Sequence, residues 1–303
     1  MRDGLLLLDK EPGGTSHDCV QRARKILRER RIGHCGTLDP DATGLLVLTV
    51  GRATRLTRFF IRAPKVYTGE IQFGAATNTY DASGEVQSTG PIDLLTEASV
   101  REAMEAFVGP YEQTPPPFSA KKVGGVRYYE LARRGEEVPH STKVVTIYEL
   151  AATSALAEGR IAFRLAASSG TYARSVAHDL GQRLECGAHL AQLRRLKVGP
   201  FSVDDAWTLS RIATAIAEDG GDLGSCWIPF DEIPLPFPTA TADGQQERRL
   251  LHGQSVLFRD LEATEGDWIK LIDRRQRFLA VGTVAERIGD AGVGVVQPKI
   301  VFK

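Results

Sequence analysis

A loop rich in glycine and proline, at residues 32–44, constrains this chain more than any other feature of its sequence. It holds three glycines and one proline, and the apolar run 45–50 that follows predicts a buried strand. Pro40 disfavours helical dihedral angles at Asp39, and the glycines permit sharp turns around it. The pattern predicts a carboxylate on a rigid loop, which is a common position for a catalytic group. An ordinary Asp-Pro turn would have the same pattern in this fragment alone.

Apolar periodicity on both sides of this loop predicts alternating strands and helices. Residues 4–8 form a short apolar run that predicts a buried strand, and Thr15 or Ser16 can cap the helix that follows. Further strands are predicted at 45–50, 66–73, 143–152 and 160–168, and further helices at 96–108, near 127–134 and after residue 171.

A composition shift near residues 218–238 predicts a domain boundary. Acidic residues cluster at 218–232, and prolines stand at 229, 234, 236 and 238. The residues beyond it form short β-type runs separated by glycine-containing turns, which predicts a small barrel. A length of 303 residues suits one large domain and one small one.

Charge, cysteine and apolar content restrict the class of protein. The 38 basic and 38 acidic residues balance, which argues mildly against a nucleic-acid binder unless the basic groups are locally clustered. The four cysteines, at 19, 35, 186 and 226, have no metal-type spacing, so we expect reduced thiols and no metal site. The apolar run at 5–8 is far too short for a signal peptide or a membrane span, which favours a cytoplasmic protein.

One alternative chemistry for the loop starts from Asp39 and Asp41. With Thr43 they match the D-x-D-x-T pattern of haloacid-dehalogenase-type phosphatases, in which an aspartate attacks phosphorus beside a magnesium ion. That chemistry places the first aspartate at the end of a buried parallel strand. Residues 32–37 include two glycines and do not have the sequence of such a strand, so the phosphatase hypothesis is weak.

The longer segment 33–46 resembles the signature of the TruB family of tRNA pseudouridine synthases, G-H-x-G-T-L-D-P-x-A-T-G-L-L. Every fixed position of that signature is present. Other blocks similar to the family follow in order over about residues 3–200. They include LDK at 8–10, GRATR at 51–55, KVY at 65–67, the block 74–84 with Thr79 and Asp81, PFSAKK at 117–122, SGTYAR at 169–174, CGAH at 186–189 and LRR at 193–195.

This resemblance implies a fold and a reaction. The fold would be α+β, with a mixed, largely antiparallel sheet and flanking helices in a catalytic domain at 1–237 and a small PUA-like RNA-binding β-barrel at 238–303. A thumb-like insertion at about 114–143 would grip the T-arm of tRNA. The reaction would isomerise the T-loop uridine at tRNA position 55 after base flipping. It transfers no electrons and no phosphate, so no cofactor and no metal are expected.

The resemblance also implies residue roles. Asp39 would be the catalytic carboxylate, acting as nucleophile or base, and Arg174 the cation that keeps it ionised. Tyr67 would stack on the target base and take part in proton transfer. The substrate-binding residues would be His34, which fills the space left by the flipped base, Tyr172 and Leu193, which wall the pocket, and Lys10, Arg31 and Lys121. Cys35 and Asp41 occupy variable positions and receive no role.

RNA contact is expected at basic groups beside the signature blocks, and the protein is expected to act on tRNA as a monomer, with no obligate protein partner and no membrane. The basic groups are Arg22, Arg24, Lys25, Arg28, Arg30, Arg31, Lys121, Lys122, Arg133, Arg134, Arg194, Arg195 and Lys197. Two alternatives remain. A related synthase directed by guide RNA and protein partners would lack the thumb-like segment, and a non-catalytic tRNA-folding or binding protein would tolerate loss of Asp39.

Overall fold

The computed structural model describes residues 2–117, 122–123, 126–127, 142–218, 221–289 and 292–302. The predicted helix near 127–134, most of the predicted insertion at 114–143, and Lys121 lie outside these ranges.

The described residues form strands and helices in the following order. The strands are β1 (Gly4–Lys10), β2 (Ile32–His34), β3 (Thr43–Val50), β4 (Lys65–Phe73), β5 (Ala75–Thr77), β6 (Val86–Thr89), β7 (Gly109–Gln113), β8 (Lys122–Val123), β9 (Val126–Arg127), β10 (Lys143–Ala152), β11 (Arg160–Ala167), β12 (Ala188–Val198), β13 (Phe201–Ser202), β14 (Trp227–Pro229), β15 (Thr239–Ala242), β16 (Val256–Phe258), β17 (Trp268–Asp273), β18 (Phe278–Ile288) and β19 (Val293–Val301). The helices are α1 (Ser16–Leu27), α2 (Thr57–Ile61), α3 (Glu97–Glu105), α4 (Ala173–Arg183), α5 (Leu209–Glu218) and α6 (Gly244–Leu251).

One ten-stranded sheet organises the larger part of the chain. Its strand order is β14-β1-β3-β12-β4-β11-β10-β7, with β2 paired to β3 and β13 paired to β12. Neighbouring strands are antiparallel except β3 and β12, which run parallel where Thr43 meets Arg194 and Gly44 meets Arg195. The predicted α+β class with a mixed, largely antiparallel sheet is confirmed.

Two apolar cores lie against this sheet. In the first, the buried runs of β1 and β3 pack with α1 and α5. In the second, β4, β10 and β11 pack with α3 and α4. Helix α1 begins with a capping box, because the Thr15 hydroxyl accepts from the Asp18 amide while the Asp18 carboxylate accepts from Thr15. Leu193 of β12 packs against both cores, so β12 lies where the two cores meet.

Several predicted boundaries differ from those in the structure, and the clearest cases are a loop, a helix and a strand. The loop predicted at 32–44 is shorter, because Ile32–His34 pairs with the end of β3 and β3 itself begins at Thr43. The helix predicted at 96–108 ends at Glu105 in the structure, before Gly109, whose φ of +108° does not continue a helix. The strand predicted at 160–168 ends at Ala167.

A second sheet, with order β15-β17-β18-β19-β16, forms the C-terminal unit together with α6. Its pairs are antiparallel except β15 and β17. The arrangement agrees with the predicted small PUA-like β unit. Four of its side chains, Phe278, Val281, Ile300 and Phe302, belong to the first core of the larger sheet. The C-terminal unit is therefore packed firmly against the rest of the chain.

Candidate active site

The backbone on both sides of Asp39 is fixed by buried side chains. The Ser16 hydroxyl accepts a bond from the Leu38 amide (2.8 Å) and donates to the Leu38 carbonyl (3.1 Å). The Lys10 ammonium, which is 1% exposed, donates to the carbonyls of Pro40 (2.7 Å) and Ala42 (2.8 Å). Because these bonds lie on both sides of Asp39, the backbone that carries its carboxylate is fixed before any ligand binds.

Arg195 fixes the two ends of the same loop. It extends from β12, is 1% exposed, and donates to the carbonyls of Gly36 (3.0 Å), Thr37 (3.4 Å) and Leu45 (2.8 Å). The prediction that Arg195 contacts RNA is wrong, because its guanidinium is enclosed by the loop. Gly44 permits this approach. It has a φ of +96°, and a Cβ there would lie 2.3 Å from the Arg195 carbonyl oxygen.

Arg174, at the start of α4, bridges two carboxylates. Its Nε lies 3.0 Å from Asp39 Oδ2, and one terminal nitrogen lies 3.3 Å from Asp81 Oδ2. The same nitrogen donates to the Thr79 carbonyl (3.1 Å). The other oxygen of Asp81 accepts from the Thr79 hydroxyl and from the amide and hydroxyl of Ser83. Asp81 is thereby fixed by its own loop, and it holds the guanidinium opposite Asp39.

The electrostatic environment of Asp39 combines burial with a shared cation. Burial raises the pKa of the Asp39 carboxyl above its ordinary value, the Arg174 guanidinium lowers this pKa, and the nearby Asp81 carboxylate raises it again. The Arg174 side chain is 7% exposed, whereas that of Asp39 is 45% exposed. The aspartate is therefore crowded by protein and still open to an incoming ligand.

Two cavities meet at this ion pair. One, of about 360 Å³, is lined by His34, Tyr67, Tyr172 and Leu193 together with Asp39 and Arg174. The other, of about 290 Å³, lies on the side of Asp81 and shares Asp39, Arg174 and Leu193 with the first. The sequence-predicted residues 34, 39, 67, 172, 174 and 193 are thus brought together around one cavity.

The side chains of the first cavity differ in polarity. Tyr67 extends from β4 and is mostly buried, and Tyr172 precedes α4, where its amide donates to the Gln113 side chain (3.0 Å). Burial lowers the pKa of His34, so its imidazole is neutral at neutral pH, and among the described residues its Nδ1 has no hydrogen-bond partner. Burial and the neighbouring Arg195 lower the pKa of Lys65, in the same cavity, to about 8.

Two of the predicted substrate-binding residues, Lys10 and Arg31, do not lie in this cavity. Lys10 is buried beneath the loop and binds its carbonyls. Arg31 is exposed, 3.9 Å from Glu29, and lines a separate cleft beside Arg52 and Arg55. Lys121 lies outside the described residues.

Neither a metal site nor a reactive thiol is found at this loop. Within the described ranges, no group of three His, Cys, Asp or Glu side chains is arranged to hold a metal ion. Burial raises the pKa of the Cys35 thiol to about 12, which keeps it protonated and unreactive. In the same ranges, no helix combines the length and the apolar character needed to cross a membrane.

Sequence comparison places the chain among known proteins. The sequence model of the TruB family pseudouridylate synthase N-terminal domain matches residues 24–173, and that of the tRNA pseudouridylate synthase B C-terminal domain matches 174–233. The model of the pseudouridine synthase II TruB C-terminal domain matches 238–301. The protein named tRNA pseudouridine synthase B from Solibacter usitatus is 41% identical over 286 residues, covering 93% of this chain and 96% of its own. The chain belongs to the TruB family.

Other TruB relatives have similar sequence identity to this chain. The Bacillus anthracis protein named tRNA pseudouridine synthase B is 40% identical and covers 92% of both chains. Its namesake from Opitutus terrae is 48% identical over 210 residues, which are 69% of this chain and 87% of that one. Members of the family are isomerases, so the predicted class of enzyme is confirmed.

The TruB fold is also shared with solved structures of lower sequence identity. A chain in the structure of an H/ACA RNP bound to a substrate RNA containing 2′-deoxyuridine has a TM-score of 0.77 at 22% identity, covering 99% of this chain and 85% of that chain. A chain of a Cbf5-Nop10-Gar1 complex has a TM-score of 0.76 at 24% identity, with the same coverage. At these identities the likeness concerns the fold.

Sequence reasoning missed the residues that support the TruB loop. Asp81 stood in a matching block without a role, although its spacing of two from Thr79 and from Ser83 is typical of a carboxylate that binds its own loop. Ser16 was considered only as a helix cap. The charge of Arg195 suggested a solvated surface, and no local pattern indicates that its side chain turns inward beneath Leu45.

Proposed function

We propose that this chain converts the T-loop uridine at tRNA position 55 to pseudouridine, with Asp39 as the catalytic carboxylate. The observation that carries the proposal is the ion pair of Asp39 and Arg174 in the wall of a cavity that also contains Tyr67. The relatives at 40–41% identity over more than nine-tenths of the chain are named for tRNA pseudouridine synthesis.

The reaction needs few groups, and each has a candidate. The N1–C1′ bond of uridine breaks, the detached base turns, and C5 forms a bond to C1′. The C5 proton leaves and N1 takes up a proton, so the product is an isomer of the substrate. Asp39 acts on the nucleoside as nucleophile or base, and Arg174 keeps its carboxylate charged. The ring of Tyr67 and the side chains of Tyr172 and Leu193 confine the base while it is detached. A cavity of about 360 Å³ has room for a nucleobase and part of its sugar.

A stacked uridine must leave the RNA to enter this cavity. Extrusion costs roughly a few kcal/mol, and a side chain that occupies the vacated space offsets part of it. His34 stands at the cavity, neutral and half-buried, and is our candidate for that role. We further propose that the protein acts alone on the T-arm of tRNA in the cytoplasm, with a catalytic domain at 1–237, a thumb at about 114–143 and an RNA-binding domain at 238–303.

The test follows the proton that leaves C5. Unmodified tRNA labelled with tritium at uridine C5 is incubated with the protein in EDTA, and tritium released to water is counted. We expect about one equivalent from the wild-type protein and none above background from Asp39→Asn. Asp41→Asn is the matched control, because Asp41 is exposed, lines the neighbouring cavity and makes no ion pair within the described residues.

Three outcomes contradict the proposal in different ways. Activity that requires magnesium would favour the phosphatase chemistry. Tight tRNA binding without tritium release would favour a binding protein. Full release by Asp39→Asn would assign the chemistry to another residue. Mapping the modified nucleotide in the product tests position 55 separately.

A further inference from the structure

Two exposed arginines on one face of the α2 segment have no assigned role. Arg58 lies in α2, and Arg62 follows its last residue, so their spacing of four places them on the same side of a helical turn. Neither forms an ion pair with any described residue. The whole chain has a formal net charge of zero, so two adjacent uncompensated cations are a local departure from its average.

Their neighbours on the same segment are already engaged. Arg52 binds Asp3 through its Nε at 2.7 Å. Arg55 donates to the Val301 carbonyl at 2.5 Å and lies over the Phe302 ring, so it joins the segment to the C-terminal unit. By contrast, the side chains of Arg58 and Arg62 form neither an ion pair nor a hydrogen bond with the described residues.

Arg58 lies over two aromatic side chains. The Arg58 guanidinium carbon lies 5.5 Å from the Trp268 ring centre and 5.7 Å from that of Phe59. Those two rings meet edge to face at 5.0 Å. Together with Arg62 they line a groove of about 440 Å³ between α2 and the C-terminal unit. One carboxylate, Asp267, lines it too, but its Oδ2 accepts from the amide and hydroxyl of Thr264, both at 2.8 Å.

The groove and the catalytic cavity are lined by consecutive residues of one segment. Ile61, the last residue of α2, lines the cavity and is 46% exposed, and Arg62 lines the groove. Arg62 therefore follows directly on a residue of the cavity, and Arg58 lies about one helical turn, roughly 5–6 Å, farther along α2. A strand whose target nucleotide enters the cavity would have neighbouring phosphates near this position.

We propose that Arg58 and Arg62 bind the phosphodiester backbone of the substrate RNA beside the target nucleotide. This inference rests on the proposed function, since it takes RNA as the substrate. The rings of Phe59 and Trp268 support Arg58 from below and direct its charge outwards. Arginine suits the role because its guanidinium matches phosphate geometry. The contact is electrostatic and independent of base sequence, and it adds affinity without entering the chemistry.

The test uses the salt dependence of RNA binding. Filter binding of an unmodified tRNA transcript is measured between about 50 and 200 mM salt for the wild-type protein and for Arg58→Gln/Arg62→Gln. Loss of two phosphate contacts lowers the slope of log K against log salt by about 1.4–1.8. We expect that decrease, a KM for tritium release raised at least about fivefold, and an unchanged rate at saturating RNA.

Two further variants make the result decisive. Arg58→Lys/Arg62→Lys retains both charges and should keep most of the wild-type slope. Arg183→Gln/Arg211→Gln removes two exposed arginines, one in α4 and one in α5, which form no ion pairs within the described residues and have no proposed contact with RNA, and should leave the slope unchanged. Arg211 also lies over a tryptophan ring, that of Trp207, as Arg58 does. A wild-type slope in the Gln pair, a lost slope in the Lys pair, or an equal loss in the Arg183/Arg211 control would each overturn the inference.

Failure of the proposed function would look different. In that case no variant, including the wild-type protein, would release tritium from tRNA, while the difference in salt slope could still be measured. If release is normal and the slopes coincide, the function stands and the assignment of Arg58 and Arg62 is wrong. Equal thermal denaturation midpoints for all variants ensure that folded proteins are compared.

Discussion

Asp81 should be needed for catalysis although it does not face the first cavity. In Asp81→Asn the retained oxygen can still accept from Thr79 and Ser83. The new amide nitrogen then replaces the oxygen that lies 3.3 Å from the Arg174 guanidinium. Two donors face each other there, so Arg174 loses an anchor while the shape of the side chain is almost unchanged.

The size of the effect follows from the bond that is lost. The contact is an ion pair at 3.3 Å whose partners, Arg174 and Asp81, are 7% and 22% exposed. Polar contacts with charged groups contribute about 1.5–3 kcal/mol. Since about 1.36 kcal/mol corresponds to a tenfold change in rate, we expect the single-turnover rate to fall roughly 10- to 150-fold. RNA affinity should change little, because neither group carries a free charge at the surface.

The same substitution has a pH signature. The Asp81 carboxylate raises the pKa of Asp39, whose pKa burial has already raised and Arg174 lowers. Removing the Asp81 charge therefore lowers the pKa of Asp39. Activity that needs ionised Asp39 is lost as pH falls through that pKa, so the acid limb should move to lower pH.

The assay is single-turnover tritium release over a pH series, with Asp41→Asn as the matched control. Asp41 lines the neighbouring cavity but contacts neither Arg174 nor Asp81 through a described ion pair. The rate of the control should stay within about twofold of wild type. Its acid limb should move less than that of Asp81→Asn, because the Asp41 carboxylate raises the pKa of Asp39 less than the Asp81 carboxylate does. A wild-type rate and acid limb in Asp81→Asn would show that the Asp81 carboxylate does not hold Arg174 in its working position.

Two further substitutions test the support of the loop. Lys10→Met leaves the carbonyls of Pro40 and Ala42 without their hydrogen-bond donor, which should lower the free energy of unfolding by about 1–3 kcal/mol for each carbonyl. Urea denaturation measures the loss of stability, and tritium release measures the expected fall in kcat. A lowered salt slope of RNA binding would instead assign Lys10 to the substrate. Gly44→Ala places a methyl group 2.3 Å from a backbone oxygen at a φ of +96° and should cost at least about 3 kcal/mol. Gly253→Ala, with φ +76° and open space, should cost about 1 kcal/mol; equal losses would contradict the steric reasoning.

Local pattern predicted the buried runs of β1 and β3 and a helix capped at Thr15 or Ser16, and the structure has all three. It did not predict β12, the strand between the two cores, or helix α5. The errors lie where tertiary pairing decides the boundary. Ile32–His34 has no strand pattern of its own and is extended because it pairs with β3 in the register that joins Ile32 to Val50.

The residues of the candidate site were predicted by resemblance, and the side chains that support them were not. The pairing of Asp39 with Arg174 joins positions 135 residues apart, and no local spacing encodes such a contact. Lys10 and Arg31 show that a position in a signature block does not give the direction of a side chain. Both are cations beside signature blocks, yet one is 1% exposed beneath the loop and the other lies on the surface beside a separate cleft.

The net charge of zero does not show which cations of the chain are buried and which are exposed. Lys10, Lys65, Arg174 and Arg195 are all buried around one loop, where their partners are backbone carbonyls and the carboxylates of Asp39 and Asp81. They hold an acidic side chain in place and contribute little to the field outside. Affinity for RNA must then come from exposed cations that no carboxylate neutralises. The net charge counts both groups equally, so it is a poor guide to whether this protein binds RNA, and the salt slope of an individual exposed pair is the better measurement.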